Sequence, residues 1–240
     1  MDSLPQELID KIIDNLPRSS LLSCSLVAKR WRRRSQQRAF QEIKLSSEHK
    51  VNCWCIDIPQ DMDGIASYVH AVKFKGIGSW YNPATLGLTL KGLGSLTKLW
   101  VFGTVIPDEV PAQISRGEFG REITTLTILF PPCTLATIVS MILSLPNLKT
   151  LCVTANGIVS GEPLSTHPAS PQKGPLDLLQ LRGDVSALVE ALAKFRFISR
   201  RLSLGVYIPG IEQLITCSSE TVVELNLCGM WFLGISRQQK

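Results

Sequence analysis

One spacing recurs along this chain and limits what it can become. An apolar residue is followed, three and five positions on, by two more. The pattern occurs as Phe40-x-x-Ile43-x-Leu45, Val69-x-x-Val72-x-Phe74, Leu96-x-x-Leu99-x-Val101 and Ile123-x-x-Leu126-x-Ile128. It returns as Leu148-x-x-Leu151-x-Val153, Leu176-x-x-Leu179-x-Leu181 and Val222-x-x-Leu225-x-Leu227, with a weaker copy at Ser199-x-x-Leu202-x-Leu204. Successive copies lie 23 to 29 residues apart, and none is missing between Ile43 and Leu225. The alternation of the last two apolar positions is that of a strand with one buried face. A unit of this length cannot bury its apolar side alone, so neighbouring copies must stack.

Between the strand patterns lie helical ones. Leu135 to Leu145 carries an apolar stripe and ends at Pro146; Asp184 can cap a stripe over Val185 to Phe197; Pro209 to Ile215 is shorter. Met62 to Tyr68 and Ala84 to Leu93 are weaker helical patterns, diluted by glycine. Strand, helix and strand with short links imply parallel pairing and an α/β class. The pattern and its period resemble leucine-rich repeats; Leu148 to Asn156 matches their longer form in full, whereas most other copies lack the asparagine. The resemblance implies a solenoid, or horseshoe, whose strands line a concave face. A small α/β sandwich with a few parallel strands is the rival reading. Residues 155–175 are rich in Pro, Gly and Ser without apolar period, and are expected to form a flexible surface loop.

The first 40 residues read differently. Leu8, Ile9, Ile12, Ile13 and Leu16 form one apolar stripe at helical spacing. Ser3 can cap this helix and Pro17 closes it. Ser19 or Ser20 can cap a second helix bearing Leu21, Leu22, Leu26 and Val27, and Lys29 to Phe40 supplies a third, holding Trp31. Three such helices are too small to be stable alone. They also carry more apolar residues than one small core needs, and the surplus suggests a face for a partner.

The order Leu4-Pro5-x-Glu7-Leu8-Ile9, Ile12-Ile13, Leu16-Pro17, Leu21-Leu22 and Leu26-Val27-x-Lys29-x-Trp31 closely resembles the F-box motif. That resemblance implies docking to a Skp-family adaptor and, through it, to a cullin-based ubiquitin ligase. Adaptor contacts are then expected from Leu4, Pro5, Ile9, Ile12, Leu16, Leu21, Leu22, Val27 and Trp31. The expected organisation is an F-box helical module over 1–40 and a leucine-rich-repeat-like domain over 41–240, holding an unknown protein substrate.

Charge and cysteines narrow the partners. The net charge is +5, but Lys29, Arg30, Arg32, Arg33, Arg34 and Arg38 more than account for it, so the remainder is nearly neutral. This run has three readings: a solvated helix face, a nuclear sorting signal, or a helix-turn-helix reading DNA with Arg32, Arg33, Gln36, Gln37 and Arg38. F-box sequences often end in such a stretch, so the expectation is no nucleic-acid partner. Seven scattered cysteines read as free thiols in a reducing compartment, cytoplasmic or nuclear. The start MDSLPQ lacks the pattern of a signal peptide, and no apolar run is long enough to span a membrane.

Chemistry is sparse. Gly-x-Ser-x-Gly and Gly-Lys-Ser/Thr motifs are absent, and His49, His70 and His167 are not at ligand spacing. Cys53-x-Cys55 lacks a second ligand pair, and Asp57, Asp61 and Asp63 lack the glycine and glutamate of a calcium loop. The chain is therefore read as non-catalytic, without metal or cofactor: an F-box substrate receptor. A protein-interaction scaffold outside ubiquitin transfer and a basic DNA-binding protein are the alternatives. Strand residues between core positions must face away from the core. Trp100, Phe102, Arg182 and Arg201 are thereby expected to share one concave groove that contacts substrate.

Overall fold

The fold is described from a computed structural model, for residues 4–54, 64–76, 84–131, 133–156, 174–205 and 210–227. The chain packs as two compact units, 1–123 and 124–240.

The first unit opens with α1 (Gln6–Asp14), α2 (Arg18–Val27) and α3 (Lys29–Phe40). Pro5 stands immediately before α1 and Pro17 immediately before α2. A proline there loses nothing, since the first backbone donors of a helix have no internal partner. The second helix thus starts at Arg18, ahead of the expected serine cap. Strands β1 (Glu42–Leu45), β2 (Ala71–Lys75) and β3 (Lys98–Phe102) follow and pair in parallel, in chain order. They are interleaved with α4 (Glu48–Asn52), α5 (Ile65–Tyr68) and α6 (Ala84–Lys91), and α7 (Glu109–Ser115) comes after β3. The sequence pattern did not expose α7, because Pro111 sits inside it. Pro111 is its third residue, where a missing N–H breaks no helical bond, and its ring is buried beside Val110.

The sequence suggests a boundary after residue 40, but the helices and first strands share one compact unit. The reason is a set of backbone ties. Arg18 donates to the carbonyls of Ala39 (3.1 Å) and Glu42, and the Gln41 carbonyl accepts from His70 and Ala71 at 3.0 Å.

The second unit holds β4 (Thr125–Leu129), β5 (Thr150–Asn156), β6 (Leu178–Asp184), β7 (Arg201–Leu204) and β8 (Glu224–Leu227), again parallel and in chain order. Helices α8 (Leu135–Ser144), α9 (Ser186–Lys194) and α10 (Ile211–Ser218) lie between strands. Thr134 caps α8 by accepting from the Thr137 amide. Asp184 ends β6 and does not cap α9. Of the expected 155–175 loop, Ala155 and Asn156 complete β5, because both pair in register with β6; residues 157–173 lie outside the described residues.

The recurring triplets form the cores. Val69, Val72 and Phe74, then Leu96, Leu99 and Val101, are buried in the first unit; Leu126, Ile128, Leu151, Val153, Leu179, Leu181, Leu202 and Leu204 are buried in the second. Ser199, the polar member of the weak copy, is also fully buried, and its hydroxyl donates to the Arg201 carbonyl at 2.8 Å, so burial leaves no lone donor. The last copy departs: Leu225 and Leu227 are exposed.

Gly183 is held by this stacking. It sits in β6 with φ +78°, and a Cβ there would collide with the Ala155 carbonyl on β5. Gly183→Ala should therefore cost about 2 kcal/mol or more, from left-handed strain plus strand displacement. Gly94→Ala, which would meet no atom within 4 Å, should change stability by less than about 1 kcal/mol. Urea denaturation of both variants checks the contrast.

Candidate functional site

The helical module divides its apolar residues between two adjacent rows. Ile9 and Ile13 on α1, with Leu21 on α2 and Ala39 on α3, make the module's core; Leu16, Trp31 and Phe40 pack against it half-buried. Leu4, Leu8 and Ile12 recur every four residues on the neighbouring row of α1 and are exposed. Leu22, Leu26 and Val27 on α2 are exposed too, Leu26 to 81% and Val27 to 67%. A shallow hollow of about 510 Å³, lined by Leu4, Leu8, Lys11, Ile12, Asn15 and Leu16, lies along α1. An apolar concentration of this kind on so small a module marks an interaction surface.

The residues expected on the adaptor face therefore separate. Leu4, Pro5, Ile12, Leu22 and Val27 are exposed, and Leu16 and Trp31 are half-buried. Ile9 and Leu21 are each only 2% exposed, so the expectation that they face outward is corrected. Both are needed where the three helices meet. Leu8 and Leu26, outside the expected face, are exposed as well. The four-residue recurrence from Leu4 through Leu8 to Ile12 was the available signal.

Half of the cations in the basic run brace the module. Arg34 donates to both carboxylate oxygens of Asp14, at 2.8 and 2.6 Å, and Arg38 donates to the Asp14 carbonyl at 3.0 Å. Arg30 donates to the Leu4 carbonyl at 2.8 Å. These bonds tie α3 to α1 and fix where the chain enters the exposed row. They leave Lys29, Arg32 and Arg33 on the exposed side of α3, with Gln36 and Gln37 half-buried. The Arg34 hydrogen bond holds the Asp14 carboxyl below its ordinary value of 3.8, with the charges of Arg34 and Arg38 adding to it and partial desolvation opposing.

On the strands, Trp100 and Phe102 are half-buried in the first unit, with ring faces approached by Lys73 (4.8 Å) and Lys75 (5.6 Å). Arg182 and Arg201 are exposed in the second unit. Register places Gln180 opposite Ser203, so Arg182 and Arg201 point from one face but stand four residues apart, roughly 13 Å along the strands. Arg201 donates to the Asp177 carbonyl at 3.2 Å. Cys152, between them and β4, is pushed up by burial, partly offset by a hydrogen bond to Thr127 and the charge of Arg182, which leaves it a thiol. Among the described residues no group of His, Cys, Asp or Glu could hold a metal ion, and no helix is long and apolar enough to cross a membrane. Cys55 and Asp57, Asp61 and Asp63 lie outside those residues.

Residues 1–40 match the F-box domain. The chain thus carries an F-box at its start, the domain class that binds Skp-family adaptors of ubiquitin ligases. The match spans the three helices just described and stops where β1 begins. Comparison with curated proteins yields no match.

Two outcomes follow from this geometry. Ile9→Ala should destabilise the protein by about 2–4 kcal/mol, through lost burial and a cavity, while Leu8→Ala, one position away, should cost less than about 1 kcal/mol. Urea denaturation separates the two. For Asp14 the folded value lies below the unfolded one, so its contribution is present above pH 3.8 and is lost as pH falls through the folded value. With both side chains of the pair more than a third exposed, Asp14→Asn should cost under about 1 kcal/mol at neutral pH. In thermal melts the difference between the two proteins should vanish on acidification.

Proposed function

We propose that this protein is a substrate receptor of a Skp-cullin-F-box ubiquitin ligase. The exposed apolar row of α1, with Leu22, Leu26 and Val27 of α2, docks the adaptor; this surface on an F-box is the observation that carries the reading. The strand-and-helix repeats, read as leucine-rich-repeat-like, hold a protein substrate on the open strand faces, with Trp100 and Phe102 as contacts in the first unit and Arg182 and Arg201 in the second. The receptor does no bond chemistry of its own. It holds adaptor and substrate at once, so ubiquitin transfer from the recruited enzyme gains the effective concentration of an intramolecular step.

Binding of the full chain to a purified Skp-family adaptor tests this. Wild-type protein should bind, and Leu4→Ala with Pro5→Ala should weaken binding at least tenfold without shifting the urea midpoint. A Leu8→Asp, Ile12→Asp pair should abolish binding, because a charge buried without a partner is far costlier than a trimmed side chain. Unchanged affinity in both double variants refutes the docking face. The scaffold alternative, in which the helical module serves another complex, predicts that neither adaptor nor cullin is pulled down.

A further inference from the structure

The open strand face of the first unit has an unusual composition. On β1 it presents Glu42 and Lys44, on β2 Lys73 and Lys75, and on β3 Lys98, Trp100 and Phe102. Register sets Lys44 beside Lys73, Lys73 beside Trp100, and Lys75 beside Phe102. Four ammonium groups therefore face one way with a single carboxylate among them. Glu42 takes Lys73 at 2.7 Å. Lys44, Lys75 and Lys98 are exposed, and among the described residues no carboxylate lies within salt-bridge distance of them. At the edge of this face, Arg18, Glu42, His70, Lys98 and Trp100 line a recess of about 490 Å³. The corresponding face of the second unit is different: Thr125, Thr127, Thr150, Thr154, Gln180, Ser203 and Asn226 are neutral, Arg201 lies in register beside Glu224, and Arg182 and Asp184 on β6 add one charge of each sign. The lysine density is thus a property of this unit, and does not follow from repeat architecture.

Neighbouring lysines on β1 and β2 stand about 5 Å apart, and successive ones along β2 about 7 Å apart. That spreads single charges over a surface. It does not converge several donors on one point, and the described strands β1–β3 carry no arginine fork of the kind that grips a doubly charged phosphate; Arg18 and Arg38, at the edge recess, are engaged by backbone carbonyls. The two aromatic rings have a cation already against them, which removes the bare stacking platforms that single-stranded nucleic acid uses. We infer that the open face of β1–β3 docks an Asp/Glu-rich, extended segment of a partner protein, whose carboxylates meet Lys44, Lys75 and Lys98. This rests on the substrate-receptor reading, and supplies the chemical class of substrate that the first unit takes.

The probe is a labelled synthetic peptide of alternating Glu and Ser, titrated against the full chain bound to its Skp-family adaptor. Binding should weaken as salt is raised, and a counterpart with Gln for every Glu should not bind. The triple variant Lys44→Gln, Lys75→Gln, Lys98→Gln should lose about eightfold in affinity, the product of three exposed charge contacts of about twofold each. Lys44→Arg, Lys75→Arg, Lys98→Arg should retain it, which guards against a folding defect. Equal binding by the Gln triple, binding of the Gln peptide, or tighter binding of a phosphoserine peptide or a single-stranded oligonucleotide than of the Glu peptide would each overturn the inference. Adaptor affinity measured on the same proteins keeps the two readings apart. Loss of peptide with adaptor retained speaks to the lysine face, and loss of adaptor with peptide retained speaks to the helical module.

Discussion

A parallel strand cannot complete its hydrogen bonds within its own repeat. Within each unit of this protein the strands find them on the strands of neighbouring repeats, as β1 does on β2 and β4 on β5, so these copies depend on one another. The same stacking closes the apolar interior, because the three recurring apolar positions of one copy lie against those of the next. It also explains the severity of local demands. Gly183 has no room for a side chain because the Ala155 backbone is pressed against it. Ser199 is admitted to the interior only because carbonyls of two adjacent repeats receive its hydroxyl.

The helical module solves a related problem by a different route. Its interior is too small to stand alone. Ile9, Ile13, Leu21 and Ala39 close it from inside, and arginines close it from outside. Arg34 and Arg38 fasten α3 to the end of α1 through Asp14, and Arg18 fastens α2 to the start of β1. Each uses backbone carbonyls or a carboxylate that the neighbouring helix already offered. The cations that look like a nucleic-acid patch in the sequence are, in good part, the module's braces. Holding the helices in this way leaves one row of α1 free of internal duty, and that row is apolar.

The two strand faces show how little the repeat frame constrains what it displays. The buried positions are nearly interchangeable aliphatics, whereas the outward ones differ in kind: lysines and aromatics in the first unit, and in the second mainly hydroxyls and amides with charges of both signs. Outward residues pack against nothing the fold requires, so their chemistry is free to suit a ligand.

Much of the fold was legible from spacing alone. The period-two alternation within each copy determines a strand with one buried face, the repetition at 23 to 29 residues determines stacked α/β units, and the order of apolar residues from Leu4 to Trp31 determines three helices of F-box type. These are local signals, carried by residues a few positions apart. Other features waited for the tertiary structure. Leu8 and Ile9 sit on adjacent rows with identical four-residue recurrence, and only the packing of α2 and α3 decides that Ile9 goes inside and Leu8 stays out. Pro111 hides a helix, since its compatibility depends on falling in the first turn. Arg182 and Arg201 share a face by parity, yet the strand register sets them roughly 13 Å apart. In each case the sequence states a periodicity, which is one-dimensional, and the choice of face, partner and register belongs to whatever packs against it.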